Sequence, residues 1–164
     1  MSKTNIMTED RIMVQFSDLT KRFGNFTAVS KINLNIYKGE IVGFLGPNGA
    51  GKSTTMKMMC RLLKPTEGEV RISHQGELKL LNNKSKDYLL DNIGFLIENP
   101  AFYEKMTPRD ILKYFAGLKG YPKTNVKSRV EEVVAMVGMS NWIDKKLGTF
   151  SKGMRQKLGI MSAI

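Results

Sequence analysis

The sequence has a single cysteine, Cys60, so no disulfide can close within the chain, and this usage fits a reducing compartment. Cys60 follows Met56 and Met59 and reads as core filler, not as a reactive thiol. No apolar run approaches the ~18 residues of a membrane span, and the first residues lack the apolar block of a signal peptide. A cytoplasmic chain is expected, at a membrane only if a partner holds it there. Acidic residues are scarce: 15 Asp and Glu face 26 Lys and Arg, a net charge of +11. The basic residues are scattered over 21–38, 57–64, 79–86, 113–127 and 145–157, with no single stripe interleaved with aromatics. That pattern suits a solvated basic exterior first and an anionic inner leaflet second; specific nucleic-acid binding is not expected. Internal repeats and low-complexity tracts are absent.

What is present is enough for one domain with a core: 164 residues, 41% apolar and 25% charged. Its centre is the stretch Ile41-Val42-Gly43-Phe44-Leu45, followed by Gly46-Pro47-Asn48-Gly49-Ala50-Gly51-Lys52-Ser53-Thr54. A short apolar run reads as a buried parallel-type strand, then a glycine-rich turn, then a helix from about Lys52. The wording Gly-x-x-x-x-Gly-Lys-Ser is that of a phosphate-binding loop. Glycines 46, 49 and 51 allow backbone amides to approach an anion. Those amides and the helix start form an anion site with Asn48 and Ala50 in the turn. Lys52 adds a full charge for the outer phosphates. The Ser53 hydroxyl, beside Thr54, suits a magnesium ligand.

Residues 1–11 read as a polar leader. Ile12, Val14 and Phe16 alternate as a strand, and Val29, Ile32, Leu34 and Ile36 mark a second one before Lys38-Gly39-Glu40. Beyond the loop, Met56, Met59, Leu62 and Leu63 recur at helical spacing until Pro65 and Gly68. Short strands are expected around the Gln75-Gly76 turn, a brief helix over 84–92, and a core strand from Ile93 to Ile97. Glu98 would then stand beyond a parallel strand's C-terminal end, where ligands gather in open sheets. Thr107-Pro108 reads as an N-cap with proline at the first helical position. Ile111, Leu112, Phe115 and Leu118 give that helix its apolar face. Val126, Val130, Val133, Val134 and Val137 mark the next, and Ser151 caps a last helix from Lys152 to Ile164. Trp142 reads as a packing anchor and His74 as a turn or surface residue.

Together these pieces resemble the nucleotide-binding subunit of an ATP-binding cassette (ABC) transporter, over about Val14 to Ile164. The resemblance rests on Gly46–Thr54, on Phe23 before a glycine turn, and on Phe150-Ser151-Lys152-Gly153-Met154-Arg155-Gln156, which resembles the family's Leu-Ser-Gly-Gly-Gln signature. It implies an α/β fold: a P-loop sheet core, a small antiparallel β subdomain and a helical subdomain, incomplete at the C-terminus. Residues 12–98 would form the core and antiparallel part, and 99–164 the helical part. It implies ATP and Mg2+ as cofactors. Phe23 would stack on adenine with Val29 on the same side, Ser53 and Glu98 would serve the metal, and Ser151 and Gly153 would hold the γ-phosphate of ATP bound by an opposing subunit. Glu98 replaces the glutamine most members carry. With Gly94–Tyr103 around it, it resembles the bacitracin-resistance and lantibiotic-immunity branch, and Glu98 is the one candidate catalytic residue. Implied partners are a membrane subunit near Glu98–Tyr103, with Phe102 and Tyr103 in contact, and a second nucleotide-binding subunit in a head-to-tail dimer. The chain would lie on the inner face of the cell membrane.

The resemblance implies a subunit that couples ATP binding and hydrolysis to export of a substrate such as a peptide antibiotic. The alternative is a nucleotide-binding remnant without turnover. The family's second acidic strand, catalytic glutamate and later histidine have no counterpart in the sequence, so a truncated product or fragment is expected. Ile41, Val42, Phe44 and Leu45 would then lack partners. At about 1.5–3 kcal/mol per buried side chain, that loss is comparable to the ~5–15 kcal/mol stability of a domain.

Overall fold

The computed structural model describes residues 11–91, 93–96 and 102–164, which divide between Asn92 and Ile93 into two compact units. In the first, β1 (Ile12–Phe23), β2 (Phe26–Tyr37), β3 (Glu67–His74) and β4 (Glu77–Leu80) form one antiparallel sheet in the order β2-β1-β3-β4. Turns at Gly24-Asn25 and Gln75-Gly76 close its two hairpins. Ile12, Phe16 and Leu19 of β1 and Val70 and Ile72 of β3 are buried.

The alternation read from Ile12, Val14 and Phe16 breaks after Phe16, because the β1–β2 register shifts there. Asp18 takes a left-handed backbone (φ 45°) and Leu19 becomes the fully buried residue. Such a bulge inserts an unpaired residue and reverses which side chains face inward. Asn33 holds it: the Asp18 amide donates to Asn33 Oδ1 and Asn33 Nδ2 donates to Asp18 Oδ1, each at 2.9 Å. Thr20, 1% exposed, is satisfied by donating to the Asp18 carbonyl and accepting from the Lys31 amide, both at 3.0 Å.

Two helices complete this unit, α1 (Lys52–Met59) and α2 (Lys86–Leu90). Helix α1 is shorter than its apolar spacing predicts. It stops at Met59, Arg61 turns left-handed (φ 56°), and Leu62 is 63% exposed. Met58 is buried but Leu62 is left exposed, and short helices persist mainly through packing of an apolar face. A second correction concerns the strand expected over 41–45. Residues 40–47 form no strand, Ile41 and Leu45 are 102% and 94% exposed, and Val42 is also exposed. A strand exists only through its neighbours' hydrogen bonds, and none of the four strands among the described residues pairs with this stretch. Residues 93–96 likewise form no strand, and Ile97 lies outside the described residues.

The second unit is helical: α3 (Pro108–Leu118), α4 (Val126–Met136) and α5 (Lys152–Ala163), with 3-10 turns at Ser140–Trp142 and Leu147–Thr149. The expected apolar faces meet in one cluster of Ile111, Leu112, Val130, Val133, Val134, Leu147, Leu158 and Met161, with Met139 and Phe150, but Leu118, expected on the same face, is exposed at the end of α3. Trp142 packs edge-on against Phe150, ring centroids 6.1 Å apart. Thr107 and Asp110 form a reciprocal capping box, with Pro108 at the helix start. These bonds hold the Asp110 carboxyl below its ordinary range. Arg109 grips Asp144 through two nitrogens at 2.7 and 3.1 Å, tying the start of α3 to the connection before α5. That contact lowers the Asp144 carboxyl and raises the Arg109 guanidinium.

Candidate nucleotide site

The loop from Gly46 to Gly51 opens directly into α1. At that junction the amides of Lys52, Ser53 and Thr54 have no preceding helical carbonyl to bond, as at any helix start. No side chain caps them, and neither they nor the amides of Gly49 and Gly51 find a backbone acceptor among the described residues. Within the loop, among the described residues, only the Ala50 amide makes a backbone hydrogen bond, donating to the Pro47 carbonyl at 3.2 Å. Clustered free N–H groups at the positive end of a helix are a binding site for an anion. The Lys52 ammonium donates to the carbonyls of Gly46 and Pro47, each at 2.7 Å, which stations a full positive charge over the same loop. Ser53 is exposed beside it.

The loop is braced by the β1–β2 hairpin. Gly51 has a left-handed backbone (φ 84°) and approaches Ala28 and Val29 too closely for any side chain. Thr55, 1% exposed, donates its hydroxyl to the Gly51 carbonyl at 3.0 Å. Val29 is buried at 5% exposure, so it supports the loop from below and offers no open face to a base, unlike the expectation from the resemblance. Phe23, at the end of the same hairpin, is 50% exposed, and its register partner Phe26 is 63% exposed. Phe23, Val29 and Gly46 to Thr54 are therefore brought together in one unit. Sequence reasoning missed Lys21 and Phe26. Lys21 stands two residues before Phe23 on the same strand and places its ammonium 5.1 Å from the ring centroid.

Ser151 and Gly153 belong to the second unit. Ser151 caps α5, its Oγ accepting from the Met154 amide at 3.3 Å. Gly153 has no positive φ, and a Cβ there would meet nothing within 4 Å. Among the described residues nothing crowds position 153. Glu104 organises this end. Its carbonyl accepts from the Gly148 amide at 2.9 Å and its carboxylate receives Arg155 at 3.4 Å. Tyr103 is 76% exposed, whereas Phe102 packs against the helical core. Glu98, expected at the metal, lies outside the described residues, as do Asn99, Pro100 and Ala101.

Cys60 is buried and its thiol is pushed up to about 11 by that burial, so it is no nucleophile beside the loop. His74 ends β3 and meets Tyr88 edge-on at 5.1 Å. No helix among the described residues is long and apolar enough to cross a membrane.

A phosphate loop at a helix start, braced by an antiparallel β subdomain and accompanied by a helical unit with a capped signature-like segment, defines an ABC-type nucleotide-binding domain. The profile of the family described as ABC transporter matches residues 29–164, and the chain belongs to that family. Among its relatives, the bacitracin transport ATP-binding protein BcrA of Bacillus licheniformis is 39% identical over 93% of this chain and 47% of its own length. The BcrA protein of Enterococcus faecalis is 40% identical with the same coverages, and the uncharacterized ABC transporter ATP-binding protein YcbN of Bacillus subtilis is 43% identical. The chain thus spans about half the length of the curated relatives it matches. Among solved structures, an ATP-binding subunit of an ABC transporter aligns with a TM-score of 0.77 at 25% identity, over 92% of this chain and 61% of that one. The cbiO1 component of the cbiONQ complex from Clostridium perfringens shares the fold, with a TM-score of 0.79 at 22% identity, over 93% of this chain and 61% of that one.

Proposed function

We propose that the chain is the ATP-binding part of an ABC exporter for a peptide antibiotic, coupling ATP binding and hydrolysis to transport by a membrane subunit. The observation that carries this reading is the set of unbonded amides at Gly49, Gly51, Lys52, Ser53 and Thr54 beside the Lys52 ammonium. Such a set fits a triphosphate, the Lys52 ammonium exchanging its loop carbonyls for the outer phosphate oxygens. Magnesium, when bound, neutralises phosphate charge; the Ser53 hydroxyl would hold it, with Glu98 as a second oxygen ligand. Phe23 supplies the exposed face for the adenine ring. Ser151 and the open amide end at Gly153 suit the γ-phosphate of ATP on a second, head-to-tail copy. Tyr103 supplies an exposed aromatic contact for the membrane subunit, which would keep the chain on the inner face of the membrane. The peptide-antibiotic substrate is supported by likeness to the bacitracin transport proteins.

Titration of the chain with magnesium-ATP, beside Lys52→Ala, tests the binding step. Binding that falls at least tenfold in the variant is expected; no binding, or binding indifferent to Lys52, overturns the assignment. Phosphate release measured on the same samples tests hydrolysis. Binding without release supports instead the remnant that holds nucleotide and does not turn it over.

A further inference from the structure

Lys21 is engaged by two groups at once. Its ammonium donates to the carbonyl of Lys64, just beyond α1, at 2.8 Å and stands 5.1 Å from the centroid of the Phe23 ring. Around it the hairpin end is fastened to the same connection twice more: the Thr66 amide donates to the Thr20 carbonyl at 2.9 Å, and the Arg22 amide to Thr66 Oγ1 at 3.0 Å. Lys21 also pairs across the ladder with Val29, the residue on which Gly51 rests. Phe23 itself is half exposed. A phenyl ring so placed has several rotamers open to it unless something fixes it. A cation against one face is attracted by the ring's quadrupole, and the Lys64 carbonyl holds that cation in place.

We propose that Lys21 is a positioning residue for nucleotide binding: anchored on the Lys64 carbonyl, it occupies one face of Phe23 and fixes the ring so that the other face receives the base. This rests on the reading of Phe23 as the adenine platform. A ring held before the ligand arrives avoids the entropy cost of ordering it on binding. The carbonyl that anchors it follows the helix rising from the phosphate loop, so the ring is set relative to the loop that holds the other end of the nucleotide.

The test compares magnesium-ATP with magnesium-tripolyphosphate, which has the phosphates and no base, on the 164-residue chain. Lys21→Met keeps the aliphatic stem and is expected to weaken ATP about three- to tenfold while leaving tripolyphosphate unchanged. Lys21→Arg, which retains a cation over the ring, restores ATP affinity. Phe23→Ala removes the preference for ATP over tripolyphosphate, and adding Lys21→Met to it has no further effect. Equal weakening of both ligands in Lys21→Met would make Lys21 a mere surface charge and overturn the proposal. If Phe23→Ala loses ATP affinity and Lys21→Met does not, only the role of Lys21 falls. If Phe23→Ala changes nothing, the base platform itself falls and the Lys21 role with it. The unsubstituted chain supplies a check free of folding defects in Lys21 variants: the Lys21 ε-methylene protons should be shifted upfield by the ring, and the shift should vanish in Phe23→Leu. An unshifted Lys21 signal overturns the proposal.

Discussion

Gly51 meets the backbone of Ala28 so closely that a Cβ at Gly51 would lie 2.5 Å from the Ala28 carbonyl oxygen, with Val29 Cγ2 at 2.9 Å. The glycine that precedes the helix is thus also the point at which the phosphate loop rests on the β1–β2 hairpin. One residue serves two contacts, and its backbone is left-handed as well.

Gly51→Ala should therefore do more damage than Gly49→Ala. Both positions have a positive φ, which costs a side chain about 1–2 kcal/mol, but space around Gly49 is open. Thermal melting and ATP titration are expected to show modest destabilisation for Gly49→Ala. For Gly51→Ala, the loop must lift from the hairpin, and ATP affinity should fall at least tenfold.

The capping box at α3 makes an acid-dependent contribution. Thr107 lowers the Asp110 carboxyl below 3.8 through a side-chain and a backbone hydrogen bond. A group lowered on folding stabilises above its unfolded value, about 3.9, and that stabilisation is lost as pH falls through the folded value. Thr107→Ala should cost about 1 kcal/mol near neutrality, measured by urea unfolding. The difference from the unsubstituted chain should shrink below about pH 4.

Leu158 is fully buried in the helical core, whereas Ile160, two residues on, is 43% exposed. Leu158→Ala should cost about 2–5 kcal/mol. Ile160→Ala should cost far less, under about 1 kcal/mol by urea unfolding.

Cys60 offers a readout of folding. With the thiol pushed up to about 11, the thiolate fraction at pH 8 is about a hundredfold below that of an ordinary cysteine near 9. Iodoacetamide should alkylate the folded chain slowly, and the rate should climb to that of a free thiol when urea unfolds it. Rapid alkylation without denaturant would show that α1 does not pack as described.

Where chemistry is local, the sequence was legible. The phosphate loop, the Thr107 and Ser151 caps and the valine stripe of α4 depend on neighbours within a few residues, and each stands where its residues place it. Non-local features were not. The bulge at Asp18 needs Asn33, fifteen residues away, and nothing in the alternation announces it. The early end of α1 depends on whether Leu62 has anything to pack against. Lys21 was counted only as dispersed charge, because its partners, Lys64 and Phe23, are joined to it by the fold and by strand geometry, not by spacing that marks a site.

The stretch from Ile41 to Leu45 has a kinetic consequence. Its aliphatic side chains face water and its amides and carbonyls have no ladder to join among the described residues. Two copies meeting through such segments can supply each other the hydrogen bonds that neither has alone. Depletion of dispersed protein should then follow second-order kinetics, so that halving the concentration quarters the initial rate, and Val42→Pro should slow the process while sparing the β1–β2 hairpin.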